Sequence, residues 1–218
     1  MNNIRKLLGA GILGAGMVVS FGASAGTMMV DDFDVKNDAG WPAVQFAAPG
    51  SISLTDTGAA LGGDRNTTIN MLATGGSPDM LYADVIIADS KFSYNAFDGD
   101  VGNAIFTYDL SGIGGIVDAL NIDVLSTDHG LDISYNIDGL GGSLTANAAG
   151  TFNFAMVGFD LATANLLTVT FDAPASLDFS IDNISFTTPA VAAPAPAPLA
   201  LMSLGLVALA TVKRRKSA

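Results

Sequence analysis

From residue 26 to residue 188 the chain is a succession of short runs in which apolar and polar residues alternate, separated by Gly, Asp, Asn and Pro. The clearest runs fall at residues 51–55, 67–72, 81–88, 104–110, 119–125, 131–137, 151–156, 167–171 and 176–186. Each is of strand length and rich in β-branched or aromatic side chains, and a period of two sends successive residues to opposite faces. In residues 131–137, Leu-Asp-Ile-Ser-Tyr-Asn-Ile, the alternation predicts a strand with one face on a core and the other in water. Leu177, Phe179 and Ile181 repeat that phase, but Ile184 and Phe186 fall out of it, so a bulge is expected near Asp182-Asn183. No stretch of this region keeps a helical period for more than two turns; residues 161–167 are the best candidate for a single turn. The Gly-rich stretches 112–115 and 139–142 read as loops. The pattern predicts an all-β fold, an antiparallel β-sandwich, with a jelly roll ahead of an up-and-down barrel.

The two ends are patterned differently. Arg5 and Lys6 precede an apolar stretch from Leu7 to Phe21, which closes on Ala23-Ser24-Ala25. That order predicts a signal helix cut by signal peptidase after Ala25. At the other end, residues 199–212 carry no charge and lead into Lys213-Arg214-Arg215-Lys216. As a helix this segment would span about 21 Å at about 1.5 Å per residue, short of a bilayer core of about 30 Å. Transient membrane insertion fits it better than a permanent anchor, although the basic end could snorkel, and that end suits a cytoplasmic stop. The organisation read from the sequence is therefore signal peptide 1–25, β-sandwich 26–188, Ala/Pro linker 189–198, and short hydrophobic helix with basic tail 199–218.

Charge sharpens the picture. Between residues 26 and 193 only Lys36, Arg65 and Lys91 stand against 21 acids, giving 3 − 21 = −18, beyond the −12 of the whole chain. All the acids are Asp, which favours turns and caps, as a turn-rich β protein requires. Three cations cannot build a phosphate-binding surface, so nucleic acid is excluded as a partner. The absence of Cys rules out disulfides, thiolate metal sites and Cys nucleophiles.

The C-terminal order of parts resembles the PEP-CTERM proteins that exosortases process in Gram-negative bacteria making extracellular polysaccharide. There a Pro-Glu-Pro motif precedes an apolar helix and a basic end; here Pro194-Ala195-Pro196 stands at the motif position, with Ala in place of Glu. The resemblance covers about the last 25 residues. It implies sorting through Pro194, Pro196, Lys213, Arg214 and Arg215, an exosortase-like processing enzyme as partner, and export to the cell surface or medium beside exopolysaccharide. Residues 30–34, Val-Asp-Asp-Phe-Asp, and 177–184, Leu-Asp-Phe-Ser-Ile-Asp-Asn-Ile, resemble the opening and closing strands of galactose-binding-like jelly rolls. That resemblance implies a structural calcium, with Asp31, Asp32 and Asp182 as candidate ligands, and carbohydrate binding as a possible role.

Other constellations read as structure. Residues 98–103, Asp-Gly-Asp-Val-Gly-Asn, lack EF-hand spacing and a closing Glu, so a hairpin turn is preferred to a calcium loop. Asp56-Thr57-Gly58 matches the aspartic-protease turn in a single copy, whereas that chemistry needs two carboxylates sharing a proton. His129, the sole histidine, is expected in an exposed loop. Arg65 is expected to pair with a neighbouring Asp, and Trp41, the sole tryptophan, to pack in the core. The sequence thus predicts a non-catalytic exported surface or matrix protein associated with exopolysaccharide. The alternative is a carbohydrate-binding module with Trp41, Tyr82, Tyr94 or Tyr135 as an exposed platform; a secreted hydrolase is the remote third.

Overall fold

A computed structural model describes residues 24–34, 49–73, 84–87, 90–96 and 99–191. The signal helix, the C-terminal helix and their site residues Ala23, Pro194, Pro196, Lys213, Arg214 and Arg215 lie outside the described residues, as do Trp41 and Tyr82. The compact unit is Ala25–Ala190; the other unit, 1–24 and 191–218, is described only at Ser24 and Val191.

The described residues form twelve strands: β1 (Ser24–Asp31), β2 (Gly50–Ala60), β3 (Gly63–Ala73), β4 (Asp84–Ile87), β5 (Phe92–Asn95), β6 (Val101–Asp109), β7 (Ile116–Thr127), β8 (Leu131–Ile137), β9 (Leu140–Ala146), β10 (Gly150–Asp160), β11 (Leu166–Ala173) and β12 (Phe179–Val191). They form two six-stranded sheets, one ordered β10-β7-β12-β5-β4 with β1 beside β12, the other β2-β3-β6-β11-β8-β9. The last eight strands pair as β5 with β12, β6 with β11, β7 with β10 and β8 with β9, all antiparallel. This is one long hairpin rolled so that its arms alternate between the sheets, the wrapping of a jelly roll. The opening and closing strands, β1 and β12, are neighbours.

Alternation makes the core. In β8, Leu131, Ile133, Tyr135 and Ile137 are buried and the residues between them are not. β6 and β11 do the same with Ala104, Phe106 and Tyr108, and with Leu167, Val169 and Phe171. Aromatic rings fill the centre: Phe92 meets Phe106 edge-on at 4.8 Å and Phe179 at 5.8 Å, and Phe106 meets Phe171 at 5.7 Å. The phase slip in β12 is absorbed as expected, by register shifts against β7 between Ser180 and Asn183. The single turn expected after residue 160 is the 3-10 helix Leu161–Thr163, capped by the Asp160 carboxylate on the Ala162 amide.

Three expectations are corrected. The stretch 139–142 is mostly strand β9, because Asp138 (φ 48°) and Gly139 (φ 98°) form a tight two-residue turn that returns the chain beside β8. Gly99 does not close a hairpin: it lies between β5 of one sheet and β6 of the other. β12 runs to Val191, into the stretch expected to be linker.

Candidate functional site

Two places concentrate polar groups, one inside and one outside. The inner one centres on Arg65 of β3, which is fully buried. Its Nη1 donates to both Asp31 oxygens at 3.0 Å, and its Nε and Nη2 donate to Asp56 Oδ2 at 3.2 and 2.8 Å. The Tyr108 hydroxyl donates to Asp31 Oδ2 at 3.0 Å, and the Phe33 amide donates to Asp31 Oδ1 at 2.9 Å. The guanidinium also lies 5.3 Å from the centre of the Phe33 ring. Asp31 comes from β1 of one sheet, and Asp56, Arg65 and Tyr108 from the other, so the cluster ties the two layers together.

Burial pushes the Asp31 carboxyl above its ordinary value, and Arg65, Phe33 and Tyr108 oppose that without cancelling it. Burial works against the Arg65 charge, but Asp31 and Asp56 outweigh it and raise its pKa. This arrangement explains the Asp-Thr-Gly motif: Asp56 is a buried counter-ion, out of reach as a catalytic carboxylate. It also explains why Arg65 is not a ligand-binding cation.

The calcium expectation meets the same cluster. Asp31, Asp32 and Asp34 line a depression of about 300 Å³. Asp31 is held by Arg65, Asp32 accepts from the Asp34 amide at 3.1 Å, and Asp34 accepts from the Ser90 hydroxyl. Asp182 accepts from Asn183 Nδ2 on its own strand. Among the described residues no group of three or more Asp, Glu, His or Cys side chains could hold a metal ion.

The tyrosine platform is corrected as well. Tyr94 and Tyr135 are core residues, Tyr94 stacking on Phe179 at 5.3 Å and Tyr135 meeting Phe154 at 5.0 Å. His129 is an exposed loop residue, its side chain 61% exposed and its Nδ1 3.1 Å from Asp128 Oδ1.

The outer polar place is the solvent face of the β2-β3-β6-β11-β8-β9 sheet. Register aligns its outward residues in three rows that cross all six strands. One row is Thr55, Asn66, Thr107, Thr168, Asn136 and Gly141; the next is Ser53, Thr68, Ile105, Thr170, Ser134 and Ser143; the third is Ser51, Asn70, Asn103, Asp172, Asp132 and Thr145. Fourteen of these 18 positions are Ser, Thr or Asn. Neighbours within a row sit about 4.8 Å apart and rows about 7 Å apart, as strand spacing and the two-residue repeat dictate.

Side chains within the rows orient one another. The Ser53 and Thr68 hydroxyls share a bond of 2.9 Å, Thr55 donates to Asn66 at 2.6 Å, Asn70 donates to Asn103 at 2.8 Å and Thr145 donates to Asp132. At the β8, β9 and β11 end the face sinks into a depression of about 410 Å³ lined by Asp132, Ser134, Ser143, Thr145 and Asp172. The polar alternation is legible in the sequence strand by strand. The rows appear only with the register.

No family model and no curated protein matches the chain. Among solved structures it is similar to a family 61 carbohydrate-binding module in complex with β-1,4-galactotriose, at 14% identity and a TM-score of 0.35, over 48% of this chain and 81% of that one. It is similar to a family 29 carbohydrate-binding module at 13% identity and TM-score 0.37, covering 76% and 90%, and to a family 11 module at 15% and 0.38, covering 78% and 99%. At that distance, what this chain binds has to be argued from its own residues.

Proposed function

We propose that this is an exported, non-catalytic surface or matrix protein that holds a hydroxyl-rich glycan of the surrounding exopolysaccharide on the outer face of the β2-β3-β6-β11-β8-β9 sheet. One observation carries the reading: the ordered rows of Ser, Thr and Asn across six strands. Hydroxyls and amides both donate and accept, so such a face offers a sugar polymer many bonds in register without a single strong anchor. Its few charges are carboxylates, which suits a neutral polymer better than an acidic one. Export is supported by the leader closing on Ala25, and surface sorting by the order Pro194, Pro196, apolar segment and basic end.

The test is affinity electrophoresis and calorimetry of the exported protein against neutral polysaccharides. Thr168→Val with Thr170→Val keeps shape and strand propensity but removes two central hydroxyls. At about 0.5–1.5 kcal/mol per hydrogen bond, binding should weaken about tenfold. Thr187→Val, on the other sheet, should leave it unchanged. Retention on no polysaccharide, or equal weakening by both variants, would sink the reading.

A further inference from the structure

A strand at the edge of a sheet exposes a row of N–H and C=O groups that invites another strand, and proteins usually guard such edges with charge, proline or brevity. On this flank the guarding is missing. Every other strand but β5 carries Asp, whereas no residue from Leu140 to Phe159, through β9 and nearly all of β10, is charged or is proline. β9 and β10 are the last strands of the two sheets, follow one another in the chain, and touch where Gly142 lies against the Phe154 ring. Among the described residues no strand pairs with their outer sides. Thr151, Asn153 and Ala155 are exposed, and Val157 is 85% exposed.

We infer that this flank is where two copies of the chain associate, β10 pairing antiparallel with β10 of the second copy about a two-fold axis and β9 following alongside, so that both sheets continue across the contact. The occupant follows from charge and geometry. A region carrying −18 repels its own copies wherever carboxylates face one another, and this flank lets two copies approach without that repulsion. A row of alternating backbone donors and acceptors is matched by another strand, with polar side chains adding cross-strand contacts. The contact has a built-in limit. Regular pairing of β10 with β7 stops at Ala155, and a bulge follows with Gly158 at φ 74°, its amide bonded to Asp118. The usable edge is therefore Gly150 to Ala155, and an edge that meets itself closes as a dimer.

Sedimentation equilibrium of the exported protein over a wide concentration range reads this directly. The wild type should show the mass of two chains. Thr151→Lys with Ala155→Lys should weaken association at least tenfold by placing like charges opposite each other, whereas Leu125→Lys on β7 should leave it intact. Hydrogen exchange of the wild type supplies a reading independent of the variants: amides in 150–155 should exchange more slowly as concentration rises. A wild type that sediments as one chain throughout, a dimer that survives the double Lys variant, open fibres, or exchange at 150–155 indifferent to concentration would each overturn the inference.

Discussion

At the scale of the residue, Arg65 matters most. A buried guanidinium shared by two buried carboxylates is held by geometry, and removing one partner leaves the others charged in a dry interior. Arg65→Met should lower unfolding free energy by about 3–5 kcal/mol in a urea titration. Arg65→Lys should recover only part of this, because an ammonium cannot bridge Asp31 and Asp56 in the same fork. The tyrosines give a pH signature. Burial, with the nearby Asp100 and Asp178 charges, pushes the Tyr94 phenol up to about 12, and burial beside Asp31 holds Tyr108 well above its ordinary value. Above a pH of about 10 the folded state then keeps protons that the unfolded chain loses. The stability from these protonated phenols is complete below that pH and drains away as pH rises toward 12. Absorbance at the phenolate band should show Tyr94 and Tyr108 silent until the protein unfolds at high pH; ionisation near 10 without unfolding would contradict their burial.

At the scale of the element, the apex of the rolled hairpin is the Asp138-Gly139 turn between β8 and β9. Both residues have positive φ, which a β-branched side chain resists, so Gly139→Val should destabilise the domain by about 1–2 kcal/mol. A loss confined to a few tenths in thermal unfolding would mean the turn tolerates another conformation. The Asp-Gly pair was visible in the sequence, but the glycines after it concealed the strand it creates. Leu140-Gly141-Gly142 has little strand propensity, and β9 exists because its backbone completes the ladder of β8. β12 is the opposite case: its apolar residues change phase within one run, and that slip by itself marks where the bulge lies.

At the scale of the whole molecule, charge and destination belong together. On the proposed reading, the carboxylates would keep a domain of this acidity soluble while a face whose rows carry charge only at Asp132 and Asp172 would meet a sugar polymer. The sorting reading predicts an intact mass, for protein recovered from cells and medium, that begins at Gly26 and ends near Pro194 to Pro196. A membrane fraction holding a product that keeps residues 199–218 would instead make the tail an anchor. Cleavage after Ala25 would leave β1 from Gly26 onward, whose amide donates to Thr188 Oγ1 at 3.1 Å.

What the sequence by itself determined was local: period-two alternation, turn residues, the bulge near Asp182-Asn183, the exposed His129 and the one arginine of residues 26–193 among aspartates. These follow from each residue's own chemistry and its immediate neighbours. Tertiary structure decided whatever depends on which strand lies beside which. It placed Asp31 and Asp56 on one guanidinium from opposite layers, turned Tyr94 and Tyr135 into the core, and aligned Thr168, Thr107 and Asn66 into a row. Strand order and register are set by long-range pairing and shared burial, which no window of sequence contains.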